Sequence, residues 1–124
     1  MTKVYYNKLV RDGIKDKIEG KGEQCEVRTI TDDAEFRQEL AKKIVEEAHG
    51  LAHTRGREKF LQEYADLMVV LDALTAELEI SEAELRTAMA ENVEQKGLYK
   101  KRHFLHWSDD GSYVSDETPQ GVSD

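Results

Sequence analysis

Two stretches of this chain, 33 to about 53 and 58 to about 79, repeat apolar residues at helical spacing, and each carries acids on the face its own apolar residues define. At about 100° per residue, Phe36, Leu40, Ile44 and Leu51 of the first stretch fall within an arc of roughly 80°, and Glu47 lies inside it. In the second, Phe60, Tyr64, Leu67, Leu71, Leu74 and Leu78 form the main apolar stripe, with Glu63 between Leu74 and Val70 at its edge and Asp66 one step further round. A buried carboxylate costs several kcal/mol unless it is paired, protonated or bound to metal. One lysine would answer for one acid, and Lys43, about 40° from Glu47 on its own helix, and Lys59 are the nearest in sequence. Three acids on facing stripes point instead to a divalent cation held by Glu47, Glu63 and Asp66. Hard oxygen ligands suit Mg²⁺ or Mn²⁺, which keep several waters and are completed by substrate phosphates.

Thr54-Arg55-Gly56-Arg57 is a turn short enough to force the two helices antiparallel. Glu47 and the Glu63/Asp66 pair then lie at similar distances from that turn and can meet across the helix interface. The second helix also carries Leu61, Ala65, Met68, Val69 and Ala76 away from its main stripe, so it needs cover on more than one side. In a chain of 124 residues there is little to supply that cover, which predicts a partner subunit, most simply an isologous homodimer or a higher homo-oligomer. Charged residues make up 35% of the chain and aromatics 7%, with a single Pro, a balance that favours an all-α fold over a sandwich or barrel. The net charge of −8 argues against a general nucleic-acid or anionic-membrane surface. Cys25 is alone, which removes disulfides within the chain and fits a reducing cytoplasm, and no apolar run approaches the roughly 18 residues that would span a bilayer.

The flanking segments are basic. Leu9, Val10, Ile14 and Ile18 recur at helical spacing up to Gly20-Lys21-Gly22, and Asn7, Lys8 and Arg11 ahead of them are either a solvated basic face or contacts to an anion near the acids. Residues 24–30 alternate weakly, as a strand or an extended link. Asp32 with Glu35 has the spacing of a helix start, and Ser81 with Glu84 is a capping box opening a third long helix to about Lys96, closed by Gly97. Its inner stripe is Leu85, Met89 and Val93, with Asn92 and Lys96 in the same arc; Lys96 is equally a snorkelling side chain or a phosphate contact. Tyr99 and the run Lys100-Lys101-Arg102 form either a solvated helix end or a polyphosphate contact. Residues 103–107 and 112–114 on either side of Ser108-Asp109-Asp110-Gly111 predict a small C-terminal β-hairpin, with a disordered polar tail from Ser115.

Tyr6-Asn7-Lys8-Leu9-Val10-Arg11-Asp12 and Lys96-Gly97-Leu98-Tyr99-Lys100-Lys101-Arg102-His103-Phe104-Leu105, on either side of the acidic helices, resemble the end segments of the MazG-like all-α NTP pyrophosphatases, and among them the small house-cleaning group. The resemblance covers about residues 5 to 107. It implies an antiparallel MazG-like helical domain over 1–107, followed by the hairpin end and tail over 108–124. It implies Mg²⁺ or Mn²⁺ on Glu47, Glu63 and Asp66, with Glu46 and Glu47 serving catalysis. Asn7, Lys8, Arg11, Asn92, Lys96, Tyr99, Lys101 and Arg102 would bind a nucleoside triphosphate, non-canonical nucleotides included. The reaction implied is hydrolysis between the α and β phosphates, giving a monophosphate and pyrophosphate. The family's acidic pattern is E-E-x-x-E followed by E-x-x-D, and Gly50 stands where its third Glu is expected. A Glu there would lie about 60° from Glu47 on the same face, so Gly50→Glu is expected to add a ligand and tighten Mg²⁺ binding.

Other readings draw on the same residues. Glu46-Glu47-Ala48-His49 contains one Glu-x-x-His, which di-iron bundles use twice, but the second helix offers Glu-x-x-Asp instead. His49 and His53 are four apart, yet fall opposite the apolar arc, as an exposed pair. From a different class, a catalytically weakened nucleotide-binding helical dimer follows if Gly50 abolishes turnover. A purely structural helical dimer ranks third.

Overall fold

The computed structural model describes residues 2–112, and within them the chain is all-α. Four helices follow in order: α1 (Ile14–Gly20), α2 (Asp33–Ala52), α3 (Arg57–Glu77) and α4 (Glu82–Lys96). The helix starts expected from sequence are made by the side chains named for them. Asp32 accepts the Glu35 N–H at 2.9 Å, capping α2. Ser81 and Glu84 complete a reciprocal box at the head of α4: the Glu84 N–H donates to Ser81 Oγ at 3.2 Å, and the Ser81 N–H donates to Glu84 Oε2 at 2.8 Å. Gly97 ends α4 at φ 76°, its N–H donating to the Val93 carbonyl at 2.7 Å.

Contacts divide the chain into two units, Met1–Arg86 and Thr87–Asp124. The first holds α1, α2 and α3. Between α2 and α3 the chain turns within four residues, and Gly56 at φ 81° takes a left-handed conformation that a side chain would strain. The helices therefore return antiparallel and pack on one another, the one extensive helix pair among the described residues. Leu40 of α2 (3% exposed) and Val70 of α3 (8%) are the buried apolar residues of that interface. No helix among the described residues is long and apolar enough to cross a membrane.

The face of α3 turned toward α2 is not the stripe expected. Phe60 and Tyr64 are 45% and 47% exposed and Leu78 is exposed as well, whereas Glu63, Asp66, Leu67, Val70 and Leu74 are covered or half-covered. The helix is thus rotated by roughly 60° about its axis from the orientation that buries Phe60 and Leu78. Because α3 is apolar over most of its circumference, periodicity alone does not fix which side meets α2. The remaining side presents Phe60, Leu61, Tyr64 and Met68, with the Phe60 and Tyr64 rings stacked at 6.2 Å. The inner stripe expected on α4 is likewise not buried; Val93 is half-covered and Met89 exposed.

Of the two forms expected for residues 24–30 the chain takes the extended link, tied down where Arg28 pairs with Glu35 of α2, and one further expectation is corrected. Residues 103–112 form no strand, so the first arm of the C-terminal hairpin is absent. Local bonds take its place. The Asp110 N–H donates to Ser108 Oγ at 3.0 Å and the Ser112 N–H to Asp110 Oδ1 at 2.9 Å, side-chain bonds that compete with a ladder a lone hairpin would barely hold. The second arm beyond Ser112 and the expected tail lie outside the described residues.

Candidate metal centre

Glu47 of α2 and Glu63 and Asp66 of α3 meet across the helix interface. Each offers a carboxylate oxygen, and the three oxygens lie within 4.8 Å of one another. Meeting at one height follows from the short turn between antiparallel helices, and sharing one side follows from the rotation of α3 that brings Glu63 and Asp66 toward α2. The acids are less enclosed than their place on the apolar arcs suggested. The Glu47 side chain is 19% exposed and that of Asp66 46%, so the desolvation cost is well below that of a fully buried acid.

Basic side chains from two places reach these acids. Lys43, one turn before Glu47, donates to Glu46 Oε2 at 3.1 Å and lies 3.7 Å from Glu47 Oε1. From the N-terminal segment, Lys8 donates to Glu46 Oε1 at 2.8 Å, and Arg11 lies 3.7 Å from Asp66 Oδ1. Glu46 therefore stands beside the trio with both oxygens engaged by lysines. The hydrogen bond from Lys8 holds the Glu46 carboxyl below the usual range and raises the Lys8 ammonium in return. Glu47 goes the other way: partial burial, then the Asp66 charge, push its carboxyl up, against the pull of Lys43. Glu63 has no cationic partner among the described residues.

Gly50 takes part in this geometry through what it lacks. A Cβ on Gly50 would sit 2.9 Å from Glu63 Oε2 and 3.4 Å from Glu63 Cδ, closer than a side-chain carbon and an oxygen normally approach. The turn of α2 that carries Gly50 does face the acids, as expected. A Glu side chain leaving position 50 would start against the Glu63 carboxylate, whose flexible end would have to shift to admit it.

The other residues singled out from sequence fall elsewhere. Asn7 is exposed, in a left-handed turn at φ 48°. Lys59 is exposed. His49 and His53 are exposed with rings 4.3 Å apart, and His53 Nδ1 lies 2.8 Å from the His49 carbonyl, so the pair is engaged along its own helix. Asn92, Lys96, Tyr99, Lys101 and Arg102 belong to the second unit. There Lys96, Tyr99, Lys101 and Arg102 line an open hollow with Val93 and His103, and the Arg102 N–H donates to the Tyr99 carbonyl at 3.0 Å, holding Arg102 left-handed at φ 55°. The reach of Lys8 to Glu46 and of Arg11 to Asp66 carries no sequence signal beyond the basic character of the segment.

The donor set suits a hard divalent cation. Neighbouring oxygens on an octahedral Mg²⁺ at about 2.1 Å are about 3 Å apart and opposite ones about 4.2 Å, and any three ligands include at least two neighbouring pairs, so three oxygens within 4.8 Å of one another close by up to about 1.8 Å per pair through side-chain rotation. With three protein oxygens, the other positions are left for water or a ligand. Compared with known proteins, the chain matches no family model, no curated protein and no solved structure.

Proposed function

We propose that this chain is a Mg²⁺- or Mn²⁺-dependent nucleoside triphosphate pyrophosphohydrolase that works as a homodimer, with non-canonical nucleotides among its substrates. The observation that carries the reading is the convergence of Glu47, Glu63 and Asp66 from two helices, three hard ligands beside Lys8 and Arg11. Water adds to the α phosphorus and the bond to the bridging oxygen breaks, so nucleoside triphosphate plus water gives monophosphate plus pyrophosphate. A divalent cation on the three acids supplies neutralisation of phosphate oxygens and acidification of water. The remaining work falls to the chain. By resemblance Glu46 and Glu47 serve catalysis, and Glu46 orients Lys8 through their hydrogen bond. Lys8 and Arg11 offer charge to the triphosphate, and by resemblance Asn7 adds to its binding. The exposed Phe60, Leu61, Tyr64 and Met68 support the dimer, since a patch of this kind on α3 is stabilised by cover.

One feature favours a second reading, a nucleotide-binding dimer of weakened activity: Gly50 stands where the resemblance implies a fourth acid. Pyrophosphate release from a panel of nucleoside triphosphates, with Mg²⁺ and with a chelator, separates the two. Cation-dependent release that Glu47→Gln abolishes supports the enzyme. Nucleotide-induced thermal stabilisation without release supports the binder, and neither response leaves no role for nucleotide.

A further inference from the structure

We infer that Gly50 is a positioning residue for the cation site: its missing side chain is the seat in which the Glu63 carboxylate rests. This role deepens the cation reading above and rests on it. Glu63 projects from α3 toward α2, and the backbone of α2 at Gly50 is where it arrives. A Cβ there would stand 2.9 Å from its Oε2, too close without a shift, while its Cδ at 3.4 Å and Oε1 at 3.9 Å are at ordinary contact distance, so a single added methyl displaces that one oxygen and turns the carboxylate with it. The Glu63 carboxylate is also the member of the trio that no lysine or arginine fixes among the described residues, whereas Lys43 lies 3.7 Å from Glu47 and Arg11 3.7 Å from Asp66. What holds Glu63 in line with the other two is therefore the shape of the α2 surface. Any side chain at 50 must push that carboxylate aside, and the far end of a flexible side chain moves readily. The chain keeps its fold while the ligand loses its place.

Two expectations of opposite sign follow. Gly50 lies in the last turn of α2 on a helical backbone, where Ala is still the better helix former, so Gly50→Ala should leave the metal-free protein folded with an equal or slightly higher Tm. The same substitution should weaken Mn²⁺ binding by about tenfold or more, the scale on which displaced supporting groups act at metal sites. A merely structural glycine would not separate the two. The test is calorimetric titration of the purified chain with Mn²⁺ alone, for the parent, Gly50→Ala, Glu63→Gln and the double variant, beside thermal scans in chelator. The expected result is a large loss for Gly50→Ala in the parent background and little further loss when Glu63 is already Gln, because the glycine acts through that carboxylate. Equal Mn²⁺ affinity for parent and Gly50→Ala, or an equal loss in both backgrounds, overturns the inference and leaves the cation site standing. A parent that binds no Mn²⁺ overturns the cation reading itself and this inference with it.

Discussion

Replacing Glu63 with Gln should make the metal-free protein more stable and the metal-loaded protein less so. Glu63 brings a negative charge within 4.8 Å of those of Glu47 and Asp66, and unlike them it has no cation beside it among the described residues. Each such pair repels by about 3.5 kcal/mol at an effective dielectric near 20 and by about 0.9 kcal/mol in water. The Asp66 side chain is nearly half exposed, so the value near the water limit applies, and two relieved pairs stabilise the variant by about 1–2 kcal/mol. That is a rise of several degrees in Tm for a domain of this size. The amide keeps the shape and one acceptor but loses the charge a cation needs, so saturating Mg²⁺ should raise the Tm of the parent and hardly move that of the variant. Scanning calorimetry in chelator and in Mg²⁺ reads both, and the order of the two melting temperatures should reverse between them. A variant that melts lower than the parent without metal, or gains as much from Mg²⁺, would refute the placing of Glu63 in a strained cluster of like charges.

The raised carboxyl of Glu47 gives a pH dependence with a definite sign. Its folded value lies above its unfolded one, so its contribution to metal-free stability is fully present below the unfolded value of about 4.3 and is lost as pH rises through the folded value. Cation affinity should climb over the same window as the proton leaves. The difference in stability between parent and Glu47→Gln, followed by chemical unfolding in chelator, isolates this residue from Glu35, Glu46 and Glu84, whose lowered values act in the opposite direction; a difference that grows with pH in the parent's favour would contradict it. For the exposed side of α3, light scattering at micromolar concentration should find a dimer, and Phe60→Glu with Met68→Lys should give a folded monomer, each buried side chain being worth about 1.5–3 kcal/mol. A parent that is already a monodisperse monomer would remove the dimer.

What the sequence made legible was local or periodic. The caps at Asp32, Ser81 and Gly97 depend on residues three or four apart, and each formed as its spacing implied. Glu47, Glu63 and Asp66 lie at one height because a short turn fixes the helices antiparallel, although the rotation of α3 that turns Asp66 toward α2 was not part of that signal. Legibility failed where the signal was degenerate or distant. Apolar residues surround α3 so fully that its rotation toward α2 is invisible to a helical plot, and Phe60 and Leu78 were placed on the wrong side for that reason. The hairpin failed because Ser108, Asp110 and Ser112 satisfy one another locally, a choice that alternation of residue types does not register.

Gly50 shows the limit of reading by position. On a helical wheel a residue is a direction, so a Glu at 50 counts as a fourth acid pointing at the same cation. In three dimensions a residue also has reach, and Glu63, on a different helix, extends its carboxylate into the volume a side chain at 50 would fill. Gly50→Glu therefore brings a second carboxylate to the place where Glu63 arrives, and the end of Glu63 must shift to admit its Cβ. The gain a fourth ligand would bring is offset by the displacement of Glu63, while the repulsion among the acids grows by one more charge. The absent acid and the well-placed one are two solutions to the same geometric problem, a single carboxylate where α2 and α3 face each other across the acids, supplied here from α3 over a glycine.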